Sequence, residues 1–344
     1  MITLPEIIEL DKRPPSVTVY MTSYNHGKYI DEAIRSVLKQ ETDFPVNIVI
    51  HDDASPDNSQ EIIRRYAAAS SNITAVLETE NFVLNGKSFF PKMIPHLTGK
   101  YMAYLECDDF WVNEHKLQIQ VDYLEANPDH IAVYSNIVPV NKFSERDESV
   151  RYEMVLGAKI GFRKTEGGDY PPPPAKIGGV EHQIGTLVIR NFWRYMTPED
   201  IDFYLHVVGN GDNKMIAMLQ HLGKVYHFSD ELSAYRRITD EGTSYSARVR
   251  KISDFDRYKF IVLESAETFR MIEHFFGKNY RQRYFQLLMS EIHSLRRFHK
   301  DIIFTPGLKP HFKAIPLWVY PVFLFRLAGK AAKKVLKLLH IIKK

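Results

Sequence analysis

The chain has 344 residues, 44% hydrophobic and 12% aromatic, which is enough for one large α/β domain plus an accessory segment. A single cysteine, Cys107, excludes a disulfide framework and agrees with a reducing cytoplasm. The net charge of +3 conceals an asymmetry: residues 302–344 carry nine Lys and Arg and no acid, which leaves the first 301 residues at −6 and argues against a nucleic-acid-binding body.

In chain order, the opening residues Met1 to Lys12 contain acids and no long apolar run, so they read as no signal peptide. No stretch reaches the roughly 18 to 20 apolar residues of a spanning helix. Apolar, β-branched runs predict strands at 17–22, 46–51, 73–77, 101–105, 131–134, 184–189 and 225–228. Helical periodicity fills the gaps at 30–39, 59–69, 89–97, 116–126 and 213–222, and Asn127-Pro128 stops the fourth of these helices. Alternating strands and helices predict a mostly parallel sheet covered on both faces. The stretch 141–179, with four consecutive prolines at 171–174, reads as a long loop. Residues 253–297 read as two further helices broken near Gly277.

Ligands of such sheets sit at the carboxyl ends of the strands. That rule brings together three loops that are far apart in sequence. The first follows Val17 and ends in Thr22, Tyr24 and Asn25, which offer hydroxyl, ring and amide groups to a base and ribose. Taken alone, this loop is better read as an ordinary turn shaped by Asn25 and Gly27. The second contains Asp52-Asp53 just past a buried strand, two carboxylates able to accept from a pyrimidine N3–H or a ribose hydroxyl. Capping and turn formation account for the nearby Asp57 and Ser59 but not for that adjacent pair. The third is Glu106-Cys107-Asp108-Asp109. Three acids after an apolar strand repel one another unless a cation or a proton intervenes, and hard divalent ions favour such oxygen donors.

These three loops together resemble family 2 glycosyltransferases, inverting enzymes of the GT-A fold, in the order and approximate spacing of their motifs. The resemblance runs from about Val17 to Tyr134 and resumes more weakly from Glu181 to Ser244. It implies that Thr22 and Asp53 contact the nucleotide base, with help from Asp52, and that Asp108 ligates Mg²⁺ or Mn²⁺. Glu106 replaces the first acid of the usual D-x-D and is assigned to the donor ribose or to a metal-bound water. Asp212, in Gly209-Asn210-Gly211-Asp212, matches the family's base, and a plain helix N-cap is its structural alternative. The segment from Tyr235 to Ser244 resembles a loop that closes over the diphosphate, with Arg236 or Arg237 neutralising the leaving phosphates. The histidine ligand common in that element is Ile238 here. Trp111, His182 and the loop 161–179 are expected on the acceptor side.

After Gly329, Val335, Leu338, Leu339 and Ile342 recur at helical spacing, with Lys330, Lys333, Lys334 and Lys337 largely in other directions. This pattern reads as an interfacial helix on an anionic membrane surface, or as a helix docked on protein. The expected organisation is a GT-A domain over 1–250 (donor half about 15–135, acceptor half about 136–250), a helical extension over 251–300 and a basic tail over 301–344. The expected partners are a nucleotide-sugar donor, which the family resemblance implies is UDP-linked, a glycan or lipid-linked acceptor, and the inner face of the cell membrane. Two rival readings are a degenerate nucleotide-sugar-binding or tethering protein and a sugar nucleotidylyltransferase, which would need a glycine-rich first loop where Tyr24-Asn25-His26-Gly27 stands.

Overall fold

A computed structural model describes residues 1–147, 154–155, 158–159, 167–170, 183–237 and 254–278. His182, Ile238, the loop 161–179 (apart from its few residues in 167–170), the segment 279–300 and the basic tail, for which the sequence raised expectations, lie outside them.

The chain begins with α1 (Leu4–Leu10), whose start is fixed by the Glu6 carboxylate accepting from the Thr3 N–H at 2.8 Å. Then follow β1 (Val17–Ser23), α2 (Ile30–Leu38), β2 (Val46–Asp52), α3 (Ser59–Ala69) and β3 (Ile73–Leu77). The short α4 (Phe90–Met93) runs into a 3-10 turn, Ile94–His96, in place of one continuous helix; Pro95 cannot donate an amide to it. Next come β4 (Tyr101–Glu106), β5 (Phe110–Trp111), α5 (Lys116–Ala126) and β6 (His130–Val140). The short pairs β7 (Met154–Val155) with β8 (Ala158–Lys159), and β9 (Gly168–Asp169), precede β10 (Val188–Arg190), α6 (Pro198–His206), α7 (Gly211–Leu222), β11 (Lys224–Arg236) and α8 (Asp254–Phe276).

The main sheet runs β3-β2-β1-β4-β10-β6-β11-β5, with β9 also on β11. β1 pairs in parallel with β2 and β4, β2 with β3, and β6 with β11, while β10 runs antiparallel between β4 and β6. Period-two alternation divides the side chains between two cores. Val17, Val19, Met21, Ile48, Ile50, Ala103 and Leu105 face one layer, which contains α2, α3 and α5. Tyr20, Val49, Met102, Tyr104, Ala132 and Tyr134 face the other, which contains α1, α4, α6, α7 and α8.

Helix α2 shows why these helices form. Ile30, Ala33, Ile34 and Val37 recur at i, i+3, i+4 and i+7 and are all buried. Each buried Ile or Val contributes roughly 1.5–3 kcal/mol, whereas nine residues alone would not hold a helix in water. Several strands differ from expectation, the one at 225–228 extending over Lys224–Arg236. The strand 184–189 is a 3-10 turn, Ile184–Thr186, followed by β10, and the strand near 131–134 continues to Val140. Helix α6, which the periodicity did not single out, starts at Pro198 with the Thr197 hydroxyl accepting from the Asp200 N–H.

Candidate active site

The carboxyl ends of β2, β1 and β4 meet in register, with Thr22 opposite both His51 and Glu106, and Ser23 opposite Asp52. The ladder continues past the strand ends: Cys107 N–H donates to Thr22 O, Asp53 N–H to Ser23 O, and Glu78 N–H to Asp52 O. The parallel pairing therefore places Thr22, the Asp52-Asp53 pair and the acidic run along one edge. By alternation Thr22 and Glu106 continue the face that carries Tyr20 and Tyr104.

The loop after β1 is locked by its neighbour. Asn25, His26 and Gly27 donate their amides in turn to Ser55 Oγ, Ser59 Oγ and Asp57 Oδ2 at 2.8, 3.1 and 2.8 Å. Asn25 sits at φ 61°, a left-handed position that Asn tolerates. A Cβ on Gly27 would meet the side-chain oxygens of Asn58 and Asp57, which would have to swing aside. Tyr24 is half-buried and Asn25 exposed at the mouth of this loop.

Of the two aspartates expected to meet the base, both are buried and both are engaged in framing loops. Asp52 accepts from the Ser55 amide and hydroxyl and from Gln60 Nε2. Asp53 accepts from the Phe82 and Val83 amides at 2.7 and 3.1 Å, fixing the loop after β3. The same carboxylates that read as ligands in the sequence thus also read as turn builders in the structure.

Glu106, Asp108 and Asp109 offer carboxylate oxygens that all lie within 4.8 Å of one another. Glu106 is exposed and Asp108 partly exposed, with His26 Nε2 3.8 Å from its Oδ2. Asp109 is only 2% exposed and accepts from Gln183 Nε2 and the Arg236 amide, both at 2.7 Å. Burial, reinforced by the Asp108 and Glu106 charges, pushes its carboxyl well above the usual range. Asp109 therefore braces the cluster from behind, and Asp108 with Glu106 presents its open side. A set of hard oxygen donors of this kind fits Mg²⁺ or Mn²⁺.

Arg236 is enclosed by hydrogen-bond partners. It is 3% exposed, and its guanidinium donates to Asp108 O, Asn141 O, Ser144 Oγ and Glu32 Oε2 while lying over the Tyr29 ring. Four of its five N–H groups thus tie the acidic turn to α2 and to the segment after β6. Arg237 is more exposed, with Nη1 4.0 Å from Asp147 Oδ2. Trp111 is also buried, its Nε1 donates to Gly185 O at 2.9 Å, and Lys116 Nζ lies 4.4 Å from its ring centre. Gln183, beside the expected His182, is the residue that reaches the cluster.

Asp212 stands on the face of the second core. The helix begins two residues earlier than the periodicity predicts, and the cap is Asn210, whose Oδ1 accepts from the Asp212 N–H at 3.0 Å. Capping therefore does not use the Asp212 carboxylate. Tyr134 and Tyr204 lie close enough for its charge to raise their hydroxyl pKa values. Burial, with the Glu264 carboxylate nearby, raises Asp212 itself to about 7. Glu264 and Glu32 were invisible to the sequence reading, since nothing local marks a contact made across the fold.

Residues 18–179 match the family model described as Glycosyl transferase family 2, so the chain carries a domain of that family. An uncharacterised protein of Mycobacterium tuberculosis is 35% identical over 114 residues, covering 33% of this chain and 32% of its own. The putative teichuronic acid biosynthesis glycosyltransferase TuaG of Bacillus subtilis is 28% identical over 149 residues, covering 41% of this chain and 57% of its own. The chain thus spans about a third to a little over half of the length of these relatives. Among solved structures, S. aureus TarS 1-349 in complex with UDP-GlcNAc superposes with a TM-score of 0.55 at 16% identity, covering 88% of this chain and 82% of that one. The shared architecture is the GT-A fold.

Proposed function

We propose that this chain is an inverting, metal-dependent glycosyltransferase that moves a sugar from a nucleotide-diphosphate donor, a UDP-sugar, to a hydroxyl of a glycan or lipid-linked acceptor. The reading rests on one observation above the rest: parallel pairing of β2, β1 and β4 sets Thr22, Asp53 and the Glu106–Asp109 run side by side at one sheet edge. Thr22, Tyr24, Asn25 and Asp53 surround the nucleoside, and Glu106 takes the ribose or an ordered water. Asp108 would hold Mg²⁺ or Mn²⁺, which when bound would offset charge on the leaving diphosphate. Arg237, the less buried of the two arginines, supplies positive charge beside that diphosphate.

Asp212 then removes the proton from the attacking acceptor hydroxyl. The oxygen forms its bond to the anomeric carbon as the bond to the donor phosphate breaks, with inversion. Its raised pKa suits this task, because a base matched to neutral pH is a better proton acceptor than an ordinary carboxylate. His182 and the loop 161–179 complete the acceptor side. The name of the TuaG relative supports a place in bacterial surface-glycan assembly. Among the described residues no helix is long and apolar enough to cross a membrane. The basic tail would hold the enzyme on the inner membrane surface through lysine–headgroup attraction.

The test is to incubate the protein with a panel of nucleotide-sugars and Mn²⁺, with lipid-linked acceptors present, and to score nucleotide release. Release from one donor is expected; none from any donor would leave a binding or tethering protein.

A further inference from the structure

The base turn is held by a helix that lies outside the matched domain. Helix α8 packs on α7 and buries Phe269, Met271, Ile272 and Phe275. One turn or more before those residues it also buries a carboxylate, Glu264. A buried acid is costly unless it is hydrogen-bonded, and here the partner is specific. Glu264 Oε1 accepts from the Asn210 N–H at 2.5 Å. Asn210 is the cap of α7 and the residue two before Asp212. The same side chain fits against Gly209 so tightly that an added Cβ there would lie 3.1 Å from its Cγ.

We propose that Glu264 is a positioning residue for the Asp212 base: it fixes the turn that presents Asp212 and keeps a second negative charge beside it. The inference rests on reading Asp212 as the base. The groups facing this pair come from several elements: Tyr134 from β6, Tyr204 from α6 and Lys214 from α7. Lys214 is itself buried, donates to the Val207 carbonyl at 3.0 Å and is coupled by charge to Glu264. The charge that acts on Asp212 is that of Glu264, of its own sign. Proton uptake from the acceptor relieves that repulsion, so the like-charged neighbour favours the step that the base performs. The helical extension thereby becomes part of the transfer machinery without touching the donor edge.

The test compares the full chain with Glu264→Gln and Glu264→Asp, using Asp212→Asn as the reference. Gln keeps an oxygen for the Asn210 amide and drops the charge. The midpoint of kcat/KM against pH should fall by about half a unit or more, with donor KM unchanged. An infrared carboxyl titration, taken as the difference from Asp212→Asn, should show the same fall without reference to turnover. Asp keeps the charge on a shorter arm, so the midpoint should stay high while kcat drops roughly ten- to a hundredfold. Coincident pH profiles for the wild type and the Gln form, with Asp212→Asn inactive, would overturn the proposal and leave the base assignment standing. Full turnover by Asp212→Asn would overturn both. Should the Gln form fail to fold, the Asp form decides the matter: wild-type kcat there rejects the positioning role.

Discussion

At the donor edge, three successive amides from Asn25 to Gly27 are tied by side chains of residues 55–59, within neighbouring strand-to-helix loops of the matched domain. The turn before Asp212 is tied instead by Glu264, 54 residues further along the chain and beyond that domain. On the proposed function, the two halves of the site are thus held by separate sets of hydrogen bonds. Donor binding and proton removal should come apart under mutation, and the largest effects are the cleanest way to show it.

Asp212→Asn should lower kcat by about 10²- to 10⁴-fold, the range for a lost general base, while leaving donor and Mn²⁺ binding intact by calorimetry. Asp108→Asn should do the reverse. Even neighbours of metal ligands cost about 10- to 100-fold in metal affinity, so a direct ligand should cost at least that. If both variants lose donor binding together, the separation fails. The same contrast has a pH signature. The Asp212 pKa in the folded chain, about 7, lies above its ordinary 3.8, so folding favours the protonated form. Its stabilising contribution is complete below about 3.8 and is lost as pH rises through about 7. Asp212→Asn should therefore melt above the wild type at pH 8, with the gain shrinking toward pH 4. In the wild type, kcat/KM should rise with pH through about 7 as the proton-accepting form appears.

Arg236 tests the frame of the acidic turn. Arg236→Met keeps much of the apolar bulk but strands the Asp108 and Asn141 carbonyls, which its guanidinium now satisfies. A loss of about 2–3 kcal/mol in unfolding free energy is expected, with Mn²⁺ affinity falling as the acidic turn loosens. Wild-type stability would mean that the guanidinium is replaceable by water and frames nothing.

The edge strands were legible because β1, β2, β3 and β4 are apolar, β-branched runs whose ends carry the polar residues. Parallel order then brought those ends together. What the sequence could not separate is a carboxylate that binds a ligand from one that builds a turn, since both sit just past a strand. Asp53 and Asp109 look alike on paper, yet one holds the amides of Phe82 and Val83 and the other is gripped by Gln183 and Arg236. The enclosure of Arg236 was not legible because its four acceptors come from residues spread from Glu32 to Ser144. The capping alternative for Asp212 was settled only by finding Asn210 in that role. Glu264 had no local signal at all, being one acid in an amphipathic helix.

The smallest expected effect probes the donor loop alone. Ser59 is buried at the start of α3; its hydroxyl accepts from the His26 amide and donates to Asp57 Oδ1 at 2.5 Å. Asp57 in turn takes the Gly27 amide. Removing the hydroxyl in Ser59→Ala strands the His26 N–H and withdraws one of the bonds that hold the Asp57 carboxyl below its usual range. The cost should be about 1 kcal/mol in a denaturant melt. Because the damage is confined to the loop carrying Tyr24 and Asn25, donor KM should rise by a few-fold, roughly in step with that energy. The pH midpoint assigned to Asp212 should stay where it is. A shift of that midpoint in Ser59→Ala would mean that the donor loop and the base turn share a support, and the division between them would have to be redrawn.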